Sequence, residues 1–512
     1  MAGMFCAIPT LEPVRLSVRM SSPRGLNRAA ATWAVYFAWA LLGLILEFET
    51  TVAFGQDAEW TALPASFASE GTDRPLETGA WPDSVATELG CDESLTPPPE
   101  MNRELLRGIL DDGFGLESCD GEYAIRFHVL NQVDFKVFEP NDQNPAAQTG
   151  LYIPRTRVYL EGQLTEPYEY EISLQRSLEG QFDLLDANFN IRLSEERLQL
   201  KVGRFLVPYS YAWYDHLEQY FLVPERALFP LNLGLSRATG GMLWGTLGDG
   251  TLQYAFAGID GRLTGLADNG TTADGVAYLN VRPFLHATGF SALRHLNLGG
   301  SLAIGEFTAP AELLPLRTSV QASENDESAV AASAIFLELD EQAVGLGDRL
   351  QGALHAACYS GPWTIEGEWQ AARTGLSPNG TDIVYVTANG FHAGVGCLLT
   401  GETIEGRKVI EPLRPIDPRH GWSGSGAIEL LARYSQLNFS DAIFDEGLAD
   451  PALWTNRVYT TDVGLNWYWN RFLKWTFVWQ HAGYGSPVLV NEAKDLFSRK
   501  NDLFWLRGQV YF

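Results

Sequence analysis

The chain has 512 residues, of which 46% are hydrophobic and 19% charged, so it can bury a large apolar surface and is not disordered overall. Its 36 basic and 63 acidic residues give a net charge of -27, which argues against nucleic acid as a partner, because phosphate backbones are bound by basic patches. Aromatic residues reach 12%, with 15 Trp and 19 Tyr, a composition that suits a membrane interface and that large soluble β-proteins can also show.

The N-terminus has the features of an exported protein. Four arginines precede an apolar run over 29–46, and the small residues Ala53 and Gly55 follow in a pattern like a cleavage site. This order predicts a secretory signal peptide over residues 1–55. The apolar run is also long enough for an uncleaved anchor helix, and a start at Met20 would give a signal of more ordinary length.

The next segment, 56–120, is rich in Pro, Asp, Glu, Thr and Ser, and predicts an irregular periplasmic lead-in with one helical turn near 104–110. The chain has five cysteines and no CxxC, which argues against a zinc ribbon or a thioredoxin-like motif. In an oxidising compartment Cys91 and Cys119 are the easier pair to join, and unpaired thiols are the alternative.

From residue 121 to residue 512 the sequence consists of segments of about ten residues that alternate in polarity, separated by Gly, Asn, Asp and Pro. In 168–175, for example, the even positions are Tyr, Tyr, Ile and Leu and the odd positions are Glu, Glu, Ser and Gln. A β-strand places successive side chains on opposite faces, so each segment has one apolar and one polar face. A soluble antiparallel sheet alternates in the same way. Large aromatics near the ends of the apolar faces, with ions opposite them, favour a transmembrane barrel with a wet lumen.

The final segment, 502–512, alternates and ends in Phe512, which resembles the terminal signal of bacterial outer-membrane proteins. An apolar strand of this kind at the edge of a soluble sheet would be an aggregation hazard. We count about 17 candidate strands, but single-chain bacterial barrels have an even number, and the segment near residue 329 alternates poorly. We therefore predict an all-β fold, a transmembrane antiparallel β-barrel of 16 strands over 121–512, with 18 strands as the alternative. The candidate strands begin near residues 122, 153, 168, 182, 198, 237, 251, 275, 296, 329, 350, 362, 391, 426, 460, 473 and 503.

We find no signature of an enzyme. H-E-x-x-H, G-x-S-x-G, a P-loop and a G-x-G-x-x-G that opens a helix do not occur, and the eight His show no metal-ligand spacing. The carboxylates Glu366 and Glu368 share the polar face of one strand, where a glycosidase acid/base pair could lie. In a barrel they are more simply lumen charges, so we expect no enzymatic activity, no cofactor and no metal.

Short motifs follow one another in order after the signal. They are Gly113-Phe114 with Asp120–Phe127, Arg155–Arg157 with Leu160–Gly162, Val202–Ser210, Gly361–Trp363 with Glu368-Trp369, Leu399–Glu402, Gly426–Leu430 with Ala432–Ser435, and Gly464–Tyr468. This ordered set resembles the phosphate-selective porin O and P family and runs through most of the mature chain. The resemblance implies a 16-stranded outer-membrane barrel, a homotrimer, and a third loop folded into the lumen, for which residues 206–235 are the candidate.

The resemblance leaves the solute open. The family pattern commonly has Gln and Lys where this chain has Arg204 and Leu206, and a phosphate pathway needs Arg or Lys donors lined up along the pore. Each basic residue that could serve has an alternative role as a wall or rim charge paired with a neighbouring carboxylate. The candidate pore-lining or anion-binding residues are Arg155, Arg157, Arg192, Lys201, Arg204, Arg226 and Arg237.

These observations predict a porin of the cell outer membrane that gives passive diffusion of small hydrophilic solutes or ions, with phosphate or other anions as the solutes that the resemblance implies. Its expected partners are outer-membrane lipid, the solutes and two further copies of the chain, with no nucleic acid. One alternative is a structural or surface-binding outer-membrane barrel without a conducting lumen. Another is a soluble, secreted, carbohydrate-active β-protein.

Overall fold

The computed structural model describes seven ranges of the chain, and they belong to one compact unit. The predicted signal peptide over 1–55 and most of the predicted lead-in over 56–120 lie outside them. The helices within them are short, and none is long and apolar enough to cross a membrane. The described ranges are 106–109, 113–139, 144–176, 182–260, 273–289, 291–320 and 332–512.

Sixteen of the described strands close into an antiparallel barrel, as the sequence predicts. The barrel closes where the last strand pairs with the first, from Asp502 opposite Glu139 to Tyr511 opposite Leu130. These strands are β3 Ala124–Glu139, β4 Gly150–Thr165, β5 Tyr168–Arg176, β6 Phe182–Ser194, β7 Leu198–Leu206, β8 Arg237–Leu247, β9 Leu252–Asp260, β10 Ala273–Val281, β11 His295–Ala311, β14 Val344–Ser360, β15 Trp363–Ser377, β16 Val384–Leu398, β17 Ala427–Phe439, β18 Arg457–Tyr468, β19 Leu473–Asn491 and β20 Leu496–Tyr511.

Four further strands lie outside the barrel wall. β12 Leu316–Arg317 and β13 Ile335–Leu337 form a separate two-stranded sheet that is not part of the wall, and the start of the candidate strand near residue 329 lies outside the described residues. β1 Leu106–Ile109 and β2 Phe114–Ser118 form a hairpin, and β2 adds to the edge of β3 beyond the end of β20. The helical turn predicted near 104–110 was therefore wrong: the main chain of 106–109 pairs with β2, which is itself paired with the edge of β3.

The end of the chain is tied into the wall by its backbone. The Val129 amide donates to the Phe512 carbonyl at 2.9 Å, and the Phe512 amide donates to the Val129 carbonyl at 3.2 Å. We call the end of the barrel at which Phe512 lies the lower end, and the opposite end the upper end. Most lower turns are short, such as 166–167 and 361–362, whereas the upper connections are longer.

Alternation divides the wall into two faces, as predicted. Along β16 exposed and buried residues alternate almost without a break, with Phe391 and Val395 exposed and His392 buried. The exposed outer face carries large apolar side chains, including Phe189 and Leu354 at 62% exposure each. An apolar outer face with a polar interior suits lipid rather than water.

Two rows of aromatic rings mark the limits of this apolar face on β16–β19. On β18, Tyr459 belongs to the upper row and Trp467 to the lower row, eight residue steps and about 26 Å apart along the strand. Because barrel strands tilt by about 35–45°, this length corresponds to a height of about 20 Å, which is comparable with the apolar band of about 25 Å in outer-membrane barrels. The upper row runs through Phe391, Tyr434, Tyr459, His481 and Trp479, and the lower row through Trp422, Trp467, Trp469 and Trp475.

Candidate functional site: the lumen and its inward-folded loop

The connection between β7 and β8, residues 207–236, folds into the barrel, and we call it the inward loop. It contains the short helices α1 Tyr211–Tyr214 and α2 Leu228–Leu233, and most of its residues are buried. It corresponds to the segment 206–235 that the sequence offers for this role. The inward loop therefore occupies part of the lumen, which water would fill in a general diffusion channel.

Glycines on the inner face of β16 make room for the inward loop. A Cβ atom at Gly390 would lie 3.2 Å from the Phe229 side chain, and one at Gly396 would lie 2.9 Å from Leu222. Phe229 and Leu222 are both buried. Because a strand glycine lets another segment approach its backbone closely, these positions form a groove that holds the loop's apolar side chains.

Polar side chains of the facing wall, together with Arg407 of the lower connection 399–426, bind the backbone carbonyls of the loop segment 219–225. An extended loop inside a barrel cannot pair its carbonyls in a helix or sheet, so the wall has to satisfy them. The basic donors are therefore occupied by the loop. The bonds are Gln509 to Gln219 at 2.9 Å, Arg407 to Tyr220 at 3.0 Å, Lys474 to Phe221 at 2.6 Å, Asn466 to Leu222 at 2.9 Å, Arg507 to Pro224 at 2.5 Å and Arg433 to Glu225 at 2.6 Å.

Two carboxylates of the inward loop form ion pairs with the opposite wall. Glu225 accepts from Arg155 at 2.5 and 2.7 Å and from Arg507 at 2.9 Å, and Glu218 accepts from Arg157 at 2.9 and 3.3 Å. Burial raises the pKa of Glu225, but the arginines outweigh it and hold that pKa at about 2. The pKa of Glu218 is likewise held well below its ordinary value against the effect of burial, by Arg157 and then Arg226. Both carboxylates are therefore ionised and hold the loop in place.

The other side of the loop is fixed by Glu368 of β15. This buried carboxylate accepts from the Ser210 hydroxyl and the Tyr211 amide, each at 2.9 Å, and from the Ala212 amide at 3.2 Å. Its neighbour Glu366 lies 3.8 Å from the His216 ring. The pair considered as a glycosidase acid and base thus faces the inward loop, and Glu368 has the structural task of holding the start of α1.

Two further segments pack against the inward loop. Above it, Asn232 of α2 exchanges two hydrogen bonds with the Arg317 backbone, at 2.8 and 3.0 Å, which joins the loop to β12. Below it lies the lower connection 399–426, which is far longer than the other lower turns. Its buried Arg407 binds Glu429 of β17 at 2.6 Å as well as the loop carbonyl at Tyr220. Leu399–Glu402 is among the motifs of the resemblance, but the sequence does not show that this segment reaches the loop.

Six of the seven predicted basic residues lie beside carboxylates, which is the alternative role considered for them. Arg226 also stacks on Trp213, with its guanidinium 3.8 Å from the ring centre. Arg204 is placed differently: it lies opposite Ala187 of β6 in the register, it is partly buried, and Asp186 and Asp260 interact with its charge. The six pairs are Arg155–Glu225 at 2.5 Å, Arg157–Glu218 at 2.9 Å, Lys201–Glu171 at 3.9 Å, Arg226–Glu218 at 3.6 Å, Arg237–Asp186 at 3.1 Å, and Arg192–Glu169 in direct contact.

A group of charged side chains on β4–β7 stays accessible inside the barrel, and we call it the accessible wall. Its side chains keep between 16% and 33% of their surface exposed, whereas those of Glu218 and Glu225 keep 6% and 3%. It has three acidic and two basic members, so its local charge is slightly negative. The members are Glu161, Glu169, Glu171, Arg192 and Lys201.

The cysteines and the metal-binding residue types were also considered as candidate sites in the described residues. Cys119 is disulfide-bonded, while Cys358 and Cys397 are free thiols. Cys91 lies outside the described residues, so its pairing with Cys119 stays a prediction. In the parts of the chain that the structure describes, no group of three or more His, Cys, Asp or Glu side chains is placed to hold a metal ion.

Comparison with known proteins gives one strong match. The family model described as phosphate-selective porin O and P matches residues 125–497. No curated protein matches the chain. Solved structures of similar fold include the outer membrane channel DcaP of Acinetobacter baumannii, with a TM-score of 0.47 and 10% identity over 78% of this chain and 100% of that one. An anion-selective porin from Comamonas acidovorans has a TM-score of 0.45 and 12% identity over 76% of this chain and 100% of that one. The trimer form of OmpT from Vibrio cholerae has a TM-score of 0.44 and 9% identity over 76% of this chain and 100% of that one.

Proposed function

Because the chain belongs to the phosphate-selective porin O and P family, and is therefore a porin of the cell outer membrane, we propose that small ions and solutes cross it along the accessible wall. Bacterial barrels have short periplasmic turns and longer outer loops, so the upper end is extracellular and the lower end periplasmic. Transport through such a barrel is passive diffusion. The observation that supports this route is a difference in side-chain exposure: the charged side chains of the accessible wall are partly exposed, whereas those that hold the inward loop are buried.

The charges along this route favour a pore with weak cation preference. Selectivity follows the charges that a permeating ion meets, and the accessible wall has one more acidic than basic member. The buried arginines contribute less, since a carboxylate neutralises each of them or a loop carbonyl occupies it. A second candidate is conduction of phosphate or other anions, which the partly exposed Arg192 and Lys201 on adjacent strands favour.

Planar-bilayer recording of the purified full-length protein tests both candidates. We expect discrete conductance steps, a reversal potential in a KCl gradient that indicates weak cation preference, and no block by millimolar phosphate. Anion preference with phosphate block would replace the first candidate by the second. A membrane without steps would contradict both and favour a structural barrel.

Two further properties belong to the proposal. We expect a homotrimer, in line with the resemblance and with the trimer form of the similar OmpT structure. Native mass spectrometry of the detergent-solubilised protein would show it, and a monomer alone would contradict it. We also expect no hydrolase activity, because Glu368 is fully engaged by the Ser210 hydroxyl and two amides of the inward loop.

A further inference from the structure

The outer surface of the barrel has a polar depression near the extracellular ends of β16, β17 and β18. Its volume is about 460 Å³. Its lining is mostly polar, whereas the outer wall below it is apolar. Its polar lining consists of Thr387, Asn389, Gln436, Asn438, Ser440 and Arg457.

The strand register sets the depth of the depression in the membrane. Asn389 lies opposite Asn438, and Asn438 lies opposite Arg457. On β18 the aromatic row passes through Tyr459, two residues below Arg457. Aromatic girdles of barrels lie at the level of the lipid headgroups. The polar row therefore lies on the water side of the girdle, where headgroups of the outer leaflet contact the wall.

The depression is flanked by two exposed guanidinium groups. Arg457 lines it, and Arg373 of β15 lies opposite Thr387 in the register, with its guanidinium 3.6 Å from the centre of the Tyr385 ring. Among the described residues, neither arginine has a carboxylate within ion-pair distance. This distinguishes them from the six paired basic residues of the lumen.

Between the two arginines lies a network of side-chain amides. Gln436 donates to Asn438 at 3.1 Å, and Asn438 donates to Asn389 at 3.3 Å. A primary amide has two donor hydrogens and an acceptor oxygen, so hydrogen-bonding capacity remains for a ligand. Guanidinium groups bind phosphate by paired hydrogen bonds, and amides suit the hydroxyl groups of a sugar. The lining itself contains no carboxylate that would repel an anion.

We propose that this depression binds the phosphorylated saccharide headgroup of an outer-leaflet glycolipid. The two arginines bind phosphate, the amides bind the sugar, and the aromatic row lies against the upper part of the acyl chains. A second copy of the chain fits less well, because a subunit interface would bury two guanidinium groups that have no carboxylate within ion-pair distance among the described residues. The proposal concerns the outer wall, so it does not depend on the solute that the lumen conducts.

Native mass spectrometry of the full-length protein in detergent, with bisphosphorylated lipid A added, tests the proposal. We expect retained lipid A, binding that is about tenfold weaker in Arg457→Gln and in Arg373→Gln, and a larger loss in the double variant. Arg414→Gln is the matched control, because Arg414 is exposed on the periplasmic connection 399–426, and it should bind as the parent protein does. Heat-modified migration on gels would show that each variant keeps a folded barrel.

Three results would overturn the proposal. The first is equal retention of lipid A by the folded double variant. The second is equal binding of lipid A from which both phosphates have been removed, because the arginines would then have no role. The third is dissociation of an oligomer in the double variant with lipid A binding unchanged, which would assign the depression to a subunit contact.

Discussion

Arg155 of β4 and Glu225 of the inward loop form a bidentate ion pair inside the lumen, with hydrogen bonds of 2.5 and 2.7 Å. The same carboxylate accepts from Arg507 of β20 at 2.9 Å. One loop residue therefore neutralises cations from two different parts of the wall.

We predict that Glu225→Gln destabilises the protein and shifts the ion selectivity of its pore towards anions. Breaking a buried ion pair on one side leaves the other charge uncompensated, which costs about 3–5 kcal/mol. Thermal unfolding in detergent should show the loss of stability, and reversal potentials should show higher relative anion permeability, because Arg155 and Arg507 lose a counter-charge. Glu446→Gln, at an exposed position of an extracellular loop, is the control. Unchanged stability and selectivity in Glu225→Gln would show that this pair does not hold the loop.

The accessible wall predicts opposite effects for two neighbouring charges. Glu171 and Lys201 lie 3.9 Å apart and both remain partly exposed. Glu171→Gln should move the reversal potential towards anions, and Lys201→Gln should move it towards cations. Both shifts should be larger at low salt, since exposed charges are screened over about 10 Å at 0.1 M salt. If neither variant alters the reversal potential, ions do not pass this wall.

Two carboxylates of the inward loop predict opposite dependences of stability on pH. The folded pKa of Glu225, about 2, is below its ordinary 4.5, so its contribution is present above pH 4.5 and is lost as the pH falls through 2. Burial raises the pKa of Asp215 from 3.8 to about 6, although the hydrogen bond that its carboxylate accepts from the Tyr278 hydroxyl acts to lower that pKa. Its contribution is therefore present below pH 3.8 and is lost as the pH rises through 6.

Unfolding temperatures measured between pH 3 and 8 check the Asp215 prediction. The parent protein should lose part of its stability between pH 4 and 7, and Asp215→Asn, which cannot ionise, should lose less over the same interval. Identical slopes for the two proteins would contradict a raised pKa at Asp215.

A single methyl group at Gly203 of β7 should disturb the barrel. Gly203 has a φ of +126°, and a Cβ atom there would lie 2.3 Å from the Ala187 carbonyl oxygen of β6. A side chain at such a backbone angle costs about 1–3 kcal/mol, to which this steric clash adds. Gly203→Ala should therefore lower the yield of folded, heat-modifiable protein. Gly241→Ala is the matched control, because a Cβ atom at Gly241 of β8 meets nothing within 4 Å. Equal folding of both variants would contradict the prediction.

Local patterning predicted the wall of this protein well. The two-residue alternation in 168–175 is the same information that sets the register of β5 in the barrel, because one face must meet lipid and the other the lumen. The count of 17 candidate strands was one too high: the described wall has 16 strands, and β14 Val344–Ser360 follows β11 His295–Ala311 in it. The prediction of a helical turn near 104–110 failed because 106–109 pairs with β2, and β2 in turn is held by the edge of β3, which only the tertiary fold supplies.

The contacts of the site were less predictable, because they join residues far apart in sequence. The Lys474 side chain binds the Phe221 carbonyl, and the Arg407 side chain binds the Tyr220 carbonyl. No local pattern shows which basic residue will meet a backbone carbonyl and which will meet water. Composition therefore identified the candidate cations, while the fold of the inward loop determined which of them remain accessible.

The capture of wall cations by the loop segment 219–225 places the charges that balance them on one short connection and not on the barrel wall. Replacing a loop carboxylate such as Glu225 alters the charge balance and the anchoring of the constriction together, while the barrel scaffold keeps its own sequence. Homologous porins could therefore diversify their solutes by changes within one short connection, and an engineer could exchange that connection to alter selectivity on an unchanged barrel.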